Sequence, residues 1–204
     1  MAYFPLCVNL DGADVILIGG GAAARDKINI LLSFGAHIRL FSDGAAAWEA
    51  HPQIALQRRP FLETDLDVRP ALVVVADAPD SEKERISGLC RAKGIPVKVV
   101  DVPSLCTFYF PSLVTRGDLT VSVSTGGKSP AAAAFLRRQF EQQLPAQTAE
   151  ILDWAHELRQ TLRTDYPAAD RRRVLRQAVA QALTLDRPLT WDELHAILQD
   201  HTAK

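Results

Sequence analysis

Cysteine is scarce and unpatterned: the 204 residues hold three, Cys7, Cys90 and Cys106, and no Cys-x-x-Cys. That excludes a disulfide framework and a thiolate zinc site, and reads as reduced thiols packing inside a cytoplasmic protein. Long apolar runs are missing as well. No stretch approaches the ~20 residues that cross a bilayer, so no membrane role is expected. The opening Met1-Ala2-Tyr3-Phe4-Pro5 has no basic segment leading into an apolar one, so no signal peptide is expected. Surplus positive charge is absent too. Lys and Arg number 23 against 24 Asp and Glu, a formal charge of -1, which leaves nothing over to neutralise phosphates and argues against nucleic acid as a partner. The five histidines, His37, His51, His156, His195 and His201, show no metal-ligand spacing, and no tightly held metal is expected.

What is present alternates strands with helices through the first half. Val15-Ile16-Leu17-Ile18 is a continuous apolar run ending in Gly19-Gly20-Gly21, as in a strand buried on both faces. Residues 22–34 carry Ile28, Leu31 and Leu32 at helical spacing, with Gly35 as the stop. Further strands are expected at 37–41, 54–57, 71–76 and 96–100, and a charged helix at 80–93. This grammar predicts βαβ units and a Rossmann-like parallel sheet. After Asp101 it changes. Residues 108–114 and 119–124 flank Arg116-Gly117-Asp118 and predict a β-hairpin. Ser129-Pro130 looks like an N-cap followed by a first-turn proline, opening a helix to about 143. The remainder reads as helical: Ile151, Leu152, Ala155, Leu158 and Leu162 recur at helical spacing, a second helix is expected at about 170–183, and a last one at Thr190, where Thr190-Trp191-Asp192-Glu193 fits a capping box. Arg171-Arg172-Arg173 reads as a solvated helix face. The expected division is 1–112 for a nucleotide domain, 113–145 for a β-hairpin and helix segment, and 146–204 for a helical C-terminal part.

Gly19-Gly20-Gly21-Ala22-Ala23-Ala24 satisfies G-x-G-x-x-A between an expected strand and an expected helix, the context that makes this motif informative. The first glycine permits the tight turn and the second lets the backbone approach a pyrophosphate. A small last residue allows close packing, and the helix N-terminus offers N–H groups to the anion. An acid near the end of the second strand would hold ribose hydroxyls; Asp43 is the candidate, and its charge favours NAD over NADP. Asp101 follows the strand expected at 96–100, at the sheet edge where ligands bind, and Asp-x-Pro is also a plain turn sequence. Thr125-Gly126-Gly127 offers backbone donors before a helix N-terminus. Lys128, Arg116, Arg137 and Arg138 lie nearby in sequence.

Taken in order, these residues resemble the precorrin-2 dehydrogenase/sirohydrochlorin ferrochelatase family, the N-terminal part of siroheme synthases. The resemblance covers residues 3 to about 145. It rests on Phe4-Pro5-Leu6, Gly19-Gly20-Gly21-x-x-Ala24-x-x-Lys27, Leu31-Leu32-x-x-Gly35-Ala36, Val99-Val100-Asp101-x-Pro103, Phe108-x-x-Pro111-Ser112, Arg116-Gly117-x-Leu119 and Ser124-Thr125-Gly126-Gly127-Lys128-Ser129-Pro130. It implies an NAD-binding Rossmann domain, a β-rich dimerisation element giving a homodimer, and a helical C-terminal part. The implied activity is NAD-dependent oxidation of precorrin-2 to sirohydrochlorin, in many members followed by insertion of ferrous iron, which would be a substrate. The implied catalytic aspartate is Asp101. Implied nucleotide contacts are Gly19, Gly21, Ala22, Ala23, Asp43, Gly44, Ala76 and Asp77; implied tetrapyrrole contacts are Ser124, Thr125, Gly126 and Lys128, with Arg116 as a nearby cation.

Some positions depart from the family pattern. Lys98 stands where Asn is frequent before Val-Val-Asp, Thr107 where Asp or Asn is frequent, and Asp26-Lys27 where Arg-Lys is frequent. None removes Asp101 or the glycine loop; they bear on the chelatase step. A short-chain dehydrogenase is excluded, because Tyr3, Tyr109 and Tyr166 are followed four positions on by Cys7, Leu113 and Asp170 rather than by lysine. Two alternatives fit the same residues: a non-catalytic NAD-sensing module, and a chelatase without dehydrogenase turnover.

Overall fold

A computed structural model of the chain describes residues 3–44, 48 and 50–202. The chain divides into two compact units, Met1–Phe110 and Pro111–Lys204.

In the first unit β1 (Asp14–Ile18), α1 (Ala22–Ser33), β2 (His37–Phe41), β3 (Ile54–Gln57), β4 (Leu72–Val75), α2 (Asp80–Ala92) and β5 (Val97–Val99) follow one another. The five strands form one sheet in the order β3-β2-β1-β4-β5, parallel at every pairing. Strand order reverses at β1: the chain runs outward to β2 and β3, then crosses back to β4 on the other side. In an open sheet that reversal leaves a crevice at the carboxyl ends of the two strands flanking it. The near-continuous apolar strands follow from burial on both faces. Val15 and Leu17 join Ile28 and Leu31 of α1 on one side, while Ile16, Val73 and Val75 join Ile86 and Cys90 of α2 on the other.

Most elements lie where periodicity places them. The segment from Phe108 is the exception, since pairing begins only at Ser112. Phe108 and Phe110 instead pack on the core beside α1, their alternation serving burial rather than a ladder. Two 3₁₀ segments, Glu63–Val68 and Pro103–Leu105, carry no periodic signal and were not anticipated. Cys90 and Cys106 are buried, as packing thiols should be, and burial pushes the Cys90 thiol up to about 11. Cys7 is exposed, contrary to the expectation for all three.

The second unit opens with the hairpin β6 (Ser112–Arg116) and β7 (Leu119–Val123), antiparallel with Arg116 opposite Leu119. Gly117 turns it at φ +54°. The helix α3 (Pro130–Gln143) packs on both strands; Ser129 Oγ caps it by accepting from Ala132 N–H at 3.1 Å. Then α4 (Thr148–Asp165), α5 (Ala168–Leu185) and α6 (Trp191–Thr202) bury Ile151, Leu158, Val174, Ala178, Leu194 and Ile197 in a core of their own. The capping box forms as read: Thr190 N–H donates to Glu193 Oε2 at 2.8 Å and Glu193 N–H to Thr190 Oγ1 at 3.4 Å. No helix among the described residues is long and apolar enough to cross a membrane.

Candidate dinucleotide and active site

Gly19 leaves β1 at φ +107°, a conformation an L side chain rarely adopts. A Cβ there would meet Asp77 N at 2.5 Å, so β4 and the loop after it approach β1 closely only because Gly19 has no side chain. Gly21 is the N-cap of α1. Its N–H donates to Asp77 Oδ2 at 2.9 Å, and a Cβ on Gly21 would stand 2.6 Å from that same oxygen. Asp77 is held in turn by β1, since the N–H groups of Ala76 and Asp77 both donate to Ile18 O, at 2.8 and 3.3 Å.

This loop fits a pyrophosphate. The first-turn N–H groups of Ala22, Ala23 and Ala24 precede the first i→i−4 bond, from Arg25 to Gly21 O at 3.2 Å, and so lack intrahelical partners. No acidic residue occupies the first turn of α1, and the helix dipole adds to the attraction for an anion. Gly21 and Ala22 face solvent, and Gly21 already carries a carboxylate oxygen. Beyond β2, Asp43 is exposed. Arg58 Nη1 donates to its backbone carbonyl at 3.2 Å, and Gly44 N–H donates to Ser42 Oγ at 3.2 Å. These bonds shape the turn and leave the Asp43 carboxylate clear of it.

Asp101 lies at the same sheet edge. Val100 N–H donates to Val75 O at 2.9 Å, carrying the β5–β4 pairing one residue past the strand and delivering Asp101 at the carboxyl end. Its side chain is exposed, and its φ is +61°. For a non-glycine residue that costs about 1 kcal/mol. With strands about 4.8 Å apart, the end of β5 stands two spacings, about 10 Å, from the end of β1. The glycine loop, Ala76-Asp77 and Asp101 therefore follow three adjacent strands, β1, β4 and β5, at the carboxyl end of the sheet.

Two cations escaped the sequence reading. Lys27 Nζ lies 5.1 Å from the Phe110 ring centroid and Lys98 Nζ lies 5.0 Å from that of Tyr109. Burial, then the nearby Lys98 charge, lowers the Lys27 pKa against an opposing pull from Asp26. Neither ammonium group forms an ion pair among the described residues. In the sequence Lys27 stands out only as a match to the family's glycine segment, and Lys98 only as a departure from the family pattern.

The remaining expected residues belong to the second unit. The turn after β7 is built by Thr125: its Oγ1 accepts from Ser129 N–H and donates to Ser129 O, both at 3.1 Å. Gly126 N–H donates to Ser124 Oγ at 3.3 Å. Gly126 and Gly127 adopt φ of +62° and +81°, and Lys128 is exposed. Arg116 is not a free cation. It pairs with Glu141 of α3 at 3.7 Å, and the same carboxylate binds Arg137.

Residues 6–112 match a family model described as putative NAD(P)-binding. The chain belongs to that family. Residues 116–143 match a second model, sirohaem biosynthesis protein central. The siroheme synthase of Nitrosomonas eutropha is 33% identical over 186 residues, covering 89% of this chain and 39% of the relative. That of Pseudomonas entomophila is 32% identical over 195 residues, covering 93% and 42%. The chain thus spans about two fifths of the length of these relatives. Among solved structures, SirC, a precorrin-2 dehydrogenase, superposes with a TM-score of 0.72 at 20% identity, over 99% of this NAD(P)-binding family member and 100% of SirC. The two share a fold.

Proposed function

We propose that this chain oxidises precorrin-2 to sirohydrochlorin with NAD as hydride acceptor. One observation carries the reading: the glycine cradle and the Asp101 carboxylate follow β1 and β5, two places apart, at the same carboxyl end of the sheet. The family match and the siroheme synthase relatives supply the substrate class. Bound NAD supplies the hydride acceptor. The chain's own groups do the rest. Ala22 and Ala23 N–H hold the pyrophosphate with Gly19 and Gly21 making room, Ala76 and Asp77 wall the crevice, and Asp43 with Gly44 takes the adenosine ribose, where a carboxylate disfavours a 2′-phosphate. Asp101 accepts the proton that leaves the macrocycle as hydride departs. Lys27 and Lys98 supply positive potential toward a polycarboxylate substrate.

The Ser124 to Lys128 turn provides N–H donors and one cation for substrate carboxylates, and Arg116 would serve only by leaving Glu141. Ferrous iron, where inserted, is a second substrate whose entry requires the pyrrole protons to leave, again toward Asp101. A homodimer is favoured by α3, which exposes Phe135, Leu136 and Phe140 at 56, 42 and 45%. In this reading 1–112 binds NAD, 113–145 dimerises and meets tetrapyrrole, 146–204 is a helical appendage, and the work takes place in the cytoplasm.

The test is to mix the purified chain with precorrin-2 and NAD, record NADH absorbance and the product spectrum, then repeat with ferrous iron. NADH formed with sirohydrochlorin supports the reading. Tetrapyrrole and NAD both bound without NADH would replace it with the sensing module, and metal insertion without NADH with the chelatase.

A further inference from the structure

We propose that the groove between α4 and α5 is a binding site for a small polyanion carrying phosphate or carboxylate groups. The inference goes beyond precorrin-2 oxidation and stands without it.

Helical spacing builds the groove. Arg159 and Arg163 lie one turn apart on α4, while Ala168, Arg171, Arg172 and Leu175 fall at i, i+3, i+4 and i+7 on one face of α5. The groove they line is half open to solvent and offers about 600 Å³, room for a small ligand held from one side. Four guanidinium groups therefore share one concavity, and none of them is ion-paired among the described residues. Their neighbours behave otherwise: Arg173 pairs with Asp170 at 3.1 Å and Arg187 with Glu193 at 2.8 Å. The run Arg171-Arg172-Arg173, read from sequence as a solvated face, thus splits. Its last member is neutralised locally and the first two turn to the groove.

Arg171 is also fixed, its Nη1 donating to Arg163 O at 3.0 Å, which ties it to the end of α4. The start of α5 adds to the field. Pro167 is its N-cap with no side-chain cap, and the first i→i−4 bond is Arg171 N–H to Pro167 O at 3.1 Å. The N–H groups of Ala168 and Ala169 therefore remain for a ligand at the positive end of an 18-residue helix. Four like charges in one concavity repel one another unless an anion enters, and guanidinium forks suit the oxygens of phosphate and carboxylate alike. The groove spans about one turn of α4 and two of α5, too short for a nucleic-acid backbone track.

The experiment titrates the full chain by calorimetry with tripolyphosphate and, in a second arm, with uroporphyrin as a polycarboxylate, both in excess NAD to fill the glycine loop. Arg159→Gln/Arg172→Gln should weaken binding at least about fivefold, with the melting temperature and NAD affinity unchanged. Arg159→Lys/Arg172→Lys should recover part of the loss. Loss confined to the tripolyphosphate arm assigns a phosphate ligand; loss in the uroporphyrin arm assigns a carboxylate one. Wild-type chain that binds neither probe, or a smaller loss in the glutamine variant in both arms, would overturn the proposal.

Discussion

Asp101 combines a carboxylate with a left-handed backbone that glycine would occupy at no steric cost. Chemistry and conformation can therefore be separated at one position. Asp101→Gly relieves the backbone and Asp101→Ala does not, so the glycine variant should be the more stable of the two by about 1 kcal/mol in chemical denaturation. Both should lose turnover by at least about 100-fold, the scale of a positioned general base, with NAD affinity within a few-fold of wild type. A turnover that tracked stability instead of the carboxylate would remove Asp101 from the chemistry. At Gly19 the clash is with Asp77 backbone, which cannot swing away, whereas at Gly21 it is with the end of the Asp77 side chain. Gly19→Ala should therefore destabilise by about 2 kcal/mol. Gly21→Asp should leave the fold closer to wild type while sharply weakening NAD binding, because it sets a second carboxylate against the pyrophosphate. Calorimetric melting and NAD titration of the two variants separate these effects.

At the scale of elements, what is local in sequence was legible. The strand–glycine–helix start, the Gly117 turn, the Ser129 cap and the Thr190–Glu193 box each involve residues within about ten positions of one another. What depends on distant partners was not. The Gly21–Asp77 bond spans 56 positions, and no pattern in either segment announces it; the same holds for Lys98 over Tyr109 and Arg116 on Glu141. The aromatic alternation at 108–110 mimics a strand because packing on a core face needs the same period as a ladder. The last helix offers a pH test. The Arg187 guanidinium, then the Thr190 N–H, hold the Glu193 carboxyl at about 2. A carboxyl depressed in the folded state stabilises above its ordinary range, and that contribution fades as pH falls from there toward about 2. Acid melting followed by helical circular dichroism should thus show a shallower decline between about pH 4 and 2 in Glu193→Gln than in wild type. Equal slopes would mean the pair is screened by solvent.

For the whole molecule, the two units pose different questions. The first has a fold whose topology alone nominates the site, because the strand order reverses where the glycine loop lies. The second exposes an apolar α3 face, and light scattering at micromolar concentration should give twice the 22.4 kDa chain mass. A single-chain mass would leave that face to another occupant. The siroheme synthase relatives extend well beyond this chain, so activity belongs to be measured on this polypeptide itself. The most direct measurement is NADH formation from precorrin-2 and NAD by wild-type chain and by Asp101→Ala in parallel. Wild type should produce NADH together with the sirohydrochlorin spectrum while the variant binds NAD and stays silent. No NADH from wild-type chain that binds both ligands, or undiminished NADH from the variant, would contradict the assignment.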